Sequence, residues 1–198
     1  MCGRFYVSED GDITPWIDDA NRKMAALTGT GMIHAGEMFP TDVLAVVANG
    51  KQQNRGVFPM RWGYTIPDSK RPLINARSET ASQKTVFRDS FGCRRCLIPA
   101  DHYFEWSHSS SCPRTKFAIR PDVKGLFYLA GIYRYVPESV LPECVILTRE
   151  PCAEIVSIHN RMPVIFGEEQ AESWLRTNSD PERLIHDISY RMVFRQAK

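Results

Sequence analysis

A cysteine at position 2 can do chemistry that an internal cysteine cannot. Once Met1 is removed, which the small cysteine side chain permits, Cys2 carries an α-amine and a thiol on adjacent carbons. Reference pKa values of roughly 7.7–8.0 for the amine and about 8.5 for the thiol leave part of each nucleophile free at neutral pH. The amine condenses with an aldehyde to an imine, and the thiol then closes on the imine carbon to give a five-membered thiazolidine. On position alone, a packed and inert thiol is the commoner state.

Three further segments carry groups suited to work beside such a centre. Asn75-Ala76-Arg77-Ser78-Glu79-Thr80 follows an apolar Pro72-Leu73-Ile74 and precedes a helical pattern, so Asn75 and Arg77 fall where a strand hands over to a loop. Helix capping by Ser78 with a solvated Arg77 explains the same residues. In Tyr103-Phe104-Glu105-Trp106 the alternation puts Tyr103 and Glu105 on one face and Phe104 and Trp106 on the other. A dry setting would raise the Glu105 pKa and suit it to proton transfer, whereas an exposed sheet face is the commoner place for a glutamate. His159 closes the apolar run Ile155–Ile158. Arg161, two residues on, points the same way in an extended chain, a cation that disfavours imidazole protonation. Cys93-Arg94-Arg95-Cys96 is a lone CxxC with no second pair to complete a zinc site, so no metal or redox role is assigned.

The elements that must position these groups follow from periodicity. Ile13, Trp16, Ile17, Ala20, Met24 and Leu27 recur at helical spacing, with Thr14 as N-cap, Pro15 in the first turn and an end before Gly29. Strands are expected over Val43–Ala48, Val57–Tyr64, Leu97–Ile98, Tyr103–Trp106, Phe117–Arg120, Leu126–Tyr135 and Cys144–Thr148. Helices are expected over Glu79–Phe91, Glu168–Leu175 and Pro181–Ile188, and a mobile hairpin tip over Ser107–Pro113. The pattern is α+β around a mostly antiparallel sheet.

The 198 residues fit a single domain, and 43% hydrophobic with 24% charged residues supports an ordinary globular core. No apolar stretch approaches the roughly 18–20 residues that span a bilayer, and no signal-peptide pattern opens the chain. Free thiols, a reducing cytoplasmic location and a monomer are expected. A formal net charge of +2 is too small to attract a polyanion as a whole, so any nucleic-acid contact must use a local cluster of arginines.

Together, Met1-Cys2-Gly3-Arg4-Phe5, Phe39-Pro40-Thr41, Arg61-Trp62-Gly63-Tyr64, Leu73 to Thr80, Tyr103 to Trp106 and His159-Asn160-Arg161-Met162-Pro163 resemble the SOS response-associated peptidase family. Its members process abasic sites in single-stranded DNA. The resemblance implies a curved antiparallel pseudo-barrel with peripheral helices, spanning 1–198 as one domain. It implies that Cys2, freed of Met1, attacks the C1′ aldehyde of the ring-opened sugar, with Glu105 as proton shuttle, Asn75 orienting the reactants and His159 acting in imine formation and slow reversal. By the same resemblance Arg4, Arg77 and Arg161 hold phosphates, while Pro40, Trp62 and Trp106 contact neighbouring bases in a kinked strand. No cofactor or metal is implied; the partner is abasic single-stranded DNA, and the location is the cytoplasm with nucleoid association. The chain departs from the family at Glu37, where many members carry asparagine three residues ahead of the wedge proline, and it stops at Lys198, sooner than longer bacterial members. Two other readings of the residues are a general cysteine peptidase built on Cys2, His159 and Glu105, and a non-covalent single-strand binding module.

Overall fold

In a computed structural model, residues 2–9, 13–50, 53–107, 115–137, 139–186 and 190–197 are described. In chain order the elements are β1 (Phe5–Val7), α1 (Thr14–Thr28), β2 (Gly36–Met38), β3 (Val43–Asn49), β4 (Arg55–Trp62), β5 (Asn75–Arg77), α2 (Ser78–Ala81), α3 (Thr85–Cys93) and β6 (Arg95–Ala100). They continue with β7 (His102–Trp106), β8 (Lys116–Pro121), β9 (Phe127–Arg134), β10 (Glu143–Arg149), β11 (Met162–Pro163), β12 (Ile165–Phe166), α4 (Glu168–Leu175), α5 (Pro181–His186) and β13 (Met192–Gln196).

Two sheets face each other. The smaller runs β13-β8-β7-β1-β2, and the larger runs β11-β10-β4-β3-β6-β9-β12, with β5 paired to β10. Most pairs are antiparallel, but β10 lies parallel to β5 and, over two residues, to β4, while also pairing with β9. The larger sheet therefore curls back on itself without becoming a true barrel, in agreement with the expected α+β pseudo-barrel.

The apolar run in β3 is buried on both faces, which explains its lack of alternation. Leu44, Val46 and Ala48 enter a core between the sheets together with Phe5, Trp62, Tyr103 and Ile119. Ala45 and Val47 enter a second core, with Ala20, Phe87 and Trp174, where helices cover the outer face of the larger sheet.

Helix α1 ends where expected, with Gly29 at φ 72° as a left-handed cap. Thr14 is inside the helix rather than capping it: its hydroxyl donates to the Glu9 carbonyl, 3.1 Å away. The single helix expected over Glu79–Phe91 is two. Ala81, Phe87 and Phe91 all enter the second core, yet on one straight helix Ala81 and Phe87 would stand roughly 120° apart around the axis. The break at Ser82–Lys84 re-aims the chain so that all three face inward. The third expected helix is described over Pro181–His186, and residues 187–188 of its span lie outside the described residues, as does most of the proposed Ser107–Pro113 hairpin tip.

Gly131 sits in β9 between β6 and β10, and a Cβ there would lie 2.9 Å from Cys96 Sγ and 3.1 Å from the Val145 carbonyl oxygen. Gly131→Ala is expected to overpack this crossing by about 1–3 kcal/mol, lowering Tm by several degrees in a thermal melt.

Candidate functional site

The site is assembled by strand β1. Its pairing with β7 sets Phe5 opposite Tyr103, and Phe5 is fully buried with its ring 5.2 Å from that of Trp62. This holds Cys2 beside the inward face of β7. Cys2 is completely buried, and its thiol reaches the Arg4 carbonyl at 3.8 Å. Burial pushes the thiol pKa far up, and the negative charge of Glu105 pushes in the same direction. The sulfur is thus held as a neutral thiol.

Asn75 opens β5, which docks in parallel on β10 with Asn75 beside Ile146. Its side-chain amide donates to the Cys2 carbonyl at 2.9 Å, and its buried Oδ1 has no hydrogen-bond partner. That leaves a buried acceptor beside Cys2 with no protein group to satisfy it.

Glu105 and His159 meet from opposite sides of the core. The Glu105 carboxylate, 3% exposed, lies with Oε2 3.8 Å from His159 Nε2. His159 Nδ1 lies 3.0 Å from the Arg161 backbone nitrogen and 3.1 Å from the Arg161 carbonyl oxygen, so the main chain at Arg161 holds the ring with Nε2 turned toward Glu105. The cation expected next to the imidazole is elsewhere. The Arg161 guanidinium forms a fork to both Glu79 oxygens at 2.8 Å and donates to the Thr148 carbonyl at 2.7 Å. Burial alone raises the Glu79 carboxyl, but hydrogen bonds from Arg161 and from backbone outweigh it and leave its pKa below the ordinary carboxylate value.

Tyr103 completes the cluster. The sequence gives one signal for it, its alternation with Glu105, and that signal alone does not mark it as a site residue. It is fully buried with an unpartnered hydroxyl, and its pKa is pushed well up by burial and then by Cys2 and Glu105. A thiol, a carboxamide, a carboxylate, an imidazole and a phenol therefore converge at one place. This set can pass a proton and orient a carbonyl. Among the described residues, no group of three or more His, Cys, Asp or Glu is arranged to hold an ion.

The remaining residues flank this cluster. Arg77 is exposed and pairs in register with Thr148, the residue whose carbonyl Arg161 caps, so the two arginines share one rim. Arg4 lies on the other rim, with its guanidinium 4.6 Å from the Phe39 ring and 5.3 Å from that of half-buried Trp106. Pro40 is half-buried in a turn whose next residue, Thr41, is held at φ 80°, a conformation that costs a β-branched residue on the order of 1–3 kcal/mol. Trp62 does not stack against bases as expected: it is fully buried, and its indole N–H donates to the Ile74 carbonyl at 3.0 Å. Its size and apolar surface place it in the core between the sheets, against Phe5 and next to the residue preceding Asn75. A cleft of about 480 Å³ lined by Phe58, Met60, Tyr133 and Tyr135 opens elsewhere and touches none of the cluster.

A family model described as SOS response associated peptidase (SRAP) matches residues 1–195. The chain belongs to the SRAP family. Among its SRAP relatives, the abasic site processing protein YobE of Bacillus subtilis is 34% identical over 203 aligned positions, covering 93% of this chain and 86% of that protein. The abasic site processing protein YedK of Escherichia coli is 32% identical over 121 positions, 60% of this chain and 54% of its own length. The fold is that of a solved protein from Bacteroides thetaiotaomicron, with a TM-score of 0.76 at 18% identity over 100% of this chain and 92% of the other.

Burial sets an order of reactivity among the thiols: Cys2 is sealed and Cys93 is exposed. Iodoacetamide at neutral pH is expected to label Cys93 at least about tenfold faster than Cys2 in the native protein, with the difference lost in denaturant, as read by peptide mass spectrometry.

Proposed function

We propose that this SRAP protein binds abasic sites in single-stranded DNA and captures them covalently through Cys2 after loss of Met1. The observation that carries the reading is the hydrogen bond from Asn75 to the Cys2 carbonyl, which anchors residue 2 beside the Glu105–His159 pair. Hydrolysis of the Met1–Cys2 peptide bond frees the α-amine. The amine adds to the C1′ aldehyde of the ring-opened sugar, and loss of water gives an imine. The thiol then adds to the imine carbon, its proton ending on nitrogen, so that aminothiol and aldehyde become a thiazolidine and one water.

Each neighbour has a task in that sequence. Glu105, buried and facing Nε2 of His159, relays the protons released and taken up at the carbinolamine. The open Oδ1 of Asn75 accepts from the sugar or the amine, and the Tyr103 hydroxyl is a further donor. Arg77 on one rim and Arg4 on the other hold phosphates to either side of the lesion, and Arg161 joins Arg77 by exchanging Glu79 for a phosphate. Phe39 and Pro40 wedge the neighbouring base from a turn held by the Thr41 N–H bond to the Trp62 carbonyl and the Phe39 N–H bond to the Asp42 carboxylate. A neutral thiol suits this scheme, because the amine reacts first and the sulfur is needed only once the imine has formed. A general cysteine peptidase would instead require a thiolate beside an imidazolium, whereas here burial and Glu105 both oppose the thiolate.

Mature protein incubated with an abasic oligonucleotide is expected to give a slower band on a denaturing gel, and Cys2→Ala none. Equal crosslinking by Cys2→Ala would overturn the mechanism. Reversible binding of equal strength to undamaged and abasic strands, with no covalent product, would leave only a binding module.

The departure at Glu37 has its own consequence. Its carboxylate accepts from Arg4 at 3.2 Å and from Lys116 at 3.1 Å, so a DNA phosphate must displace it to reach Arg4. Glu37→Gln is expected to tighten single-strand binding by about two- to fivefold, the worth of a half-exposed ion pair, in a fluorescence anisotropy titration.

A further inference from the structure

Beyond Arg4 and Trp106 at its rim, the outer face of the five-stranded sheet has no part in the chemistry above, yet it gathers positive charge in a chain that is nearly neutral overall. Strand alternation sends Tyr103 and Glu105 inward and His102, Phe104 and Trp106 outward. Register then lines up the neighbours of these three. Tyr6 pairs with His102, Phe104 with Ala118 and Trp106 with Lys116, while Ala118 pairs onward with Arg195 and Val193 with Arg120. The face so built carries Arg4, Lys116, Arg120 and Arg195 around the half-buried rings of Tyr6, His102 and Trp106, with Phe104 buried beneath Lys116 and with Glu37 and Asp101 as the opposing carboxylates nearby.

The rings are arranged for stacking. Tyr6 and His102 already lie parallel, 4.9 Å apart at an interplanar angle of 11°, and Lys116 stands 3.9 Å over Phe104. His102 feels Arg195, Arg120 and Lys116 together, and burial followed by those cations lowers its pKa despite Asp101, so its ring is neutral at physiological pH. Because Ala118 is small, a hollow of about 330 Å³ opens over it, bounded by His102, Arg120 and Arg195. From Trp106 to His102 along β7 is roughly 13 Å, about the rise of four stacked nucleotides.

We propose that this face is a second binding surface for the single strand, carrying it from Arg4 and Trp106 to a nucleotide-sized hollow between Arg120 and Arg195. The inference rests on the reading of the chain as an abasic-strand binder and adds where the strand goes beyond the lesion. Aromatic rings interleaved with cations on an open sheet are what an unpaired strand needs, since every base has a face to stack and every linkage a charge to neutralise. Continuity argues for the same occupant, because Arg4 and Trp106 lie at one end of this surface and at the rim of the cluster.

The test compares crosslinking rates, at protein concentrations below saturation, for lesion-centred oligonucleotides of 5 and 25 nucleotides. Wild-type protein is expected to react faster with the 25-mer, and raising salt from 50 to 200 mM should erode that advantage. Arg195 is an exposed edge-strand residue, so Arg195→Glu can remove the charge with the fold intact. Arg120 also donates to the Val123 and Gly125 carbonyls, so Arg120→Ala serves as the second variant, accepted only with an unchanged melting curve. Either variant is expected to cut the 25-mer rate by about tenfold and to lower the salt slope by about 0.7 for each phosphate no longer neutralised, with the 5-mer rate unchanged. An unchanged ratio of 25-mer to 5-mer rates in both variants would overturn the inference and leave the face to another partner, such as an acidic protein segment. Equal losses on both lengths would overturn it too. Failure of wild-type protein to crosslink either strand would instead strike the proposed function itself.

Discussion

The short pairing of β1 with β7 is the constraint on which the site depends. Chain ends fray unless they are tied down, and residue 2 has almost no chain of its own to do so. Here three residues are clamped between β2 and β7, Phe5 is sunk against Trp62, and Asn75 seizes the Cys2 carbonyl from the other sheet. In the proposed scheme loss of Met1 supplies the amine, and clamping supplies the address.

What the clamp brings together is costly to bury. A thiol, a phenol and a carboxylate share a dry space: burial and then Glu105 raise the Cys2 thiol, and burial followed by Cys2 and Glu105 raises the Tyr103 phenol. The cluster is tolerable because only the carboxylate needs to be charged, and it has an imidazole facing it at 3.8 Å. Buried polar atoms left unmatched, Asn75 Oδ1 and the Tyr103 hydroxyl, cost stability, and in the proposed function they are the partners a ligand would meet.

Much of this is legible in the residues. The long apolar strands, the helix before Gly29 and the shared face of Tyr103 and Glu105 follow from periodicity alone, though not that this face is the inner one, and the family resemblance rests on islands the family model also spans. The short strands β1, β2, β5 and β13 are not legible, because three to five residues carry too little pattern and owe their form to partners far away in sequence. The same reason hides the role of Trp62. An aromatic beside arginine and glycine reads equally as a stacking platform or as core, and only the Ile74 carbonyl waiting across the fold decides for the interior. Arg161 departs from expectation for a related cause. An extended chain would aim its guanidinium alongside the imidazole, whereas a turn at residues 155–159 sends its backbone to the imidazole and its guanidinium to Glu79.

The central place of β10 has a consequence for how the protein comes into being. This late strand joins β9, β4, β5 and β11, and without it neither Asn75 nor the segment bearing His159 has a seat. At ~5–20 residues per second, a ribosome needs about 10–30 s after the first codons to deliver that segment. During synthesis the leading cysteine is therefore an ordinary, accessible thiol on a nascent chain. Its seclusion arrives only when the last third of the polypeptide emerges and closes over it.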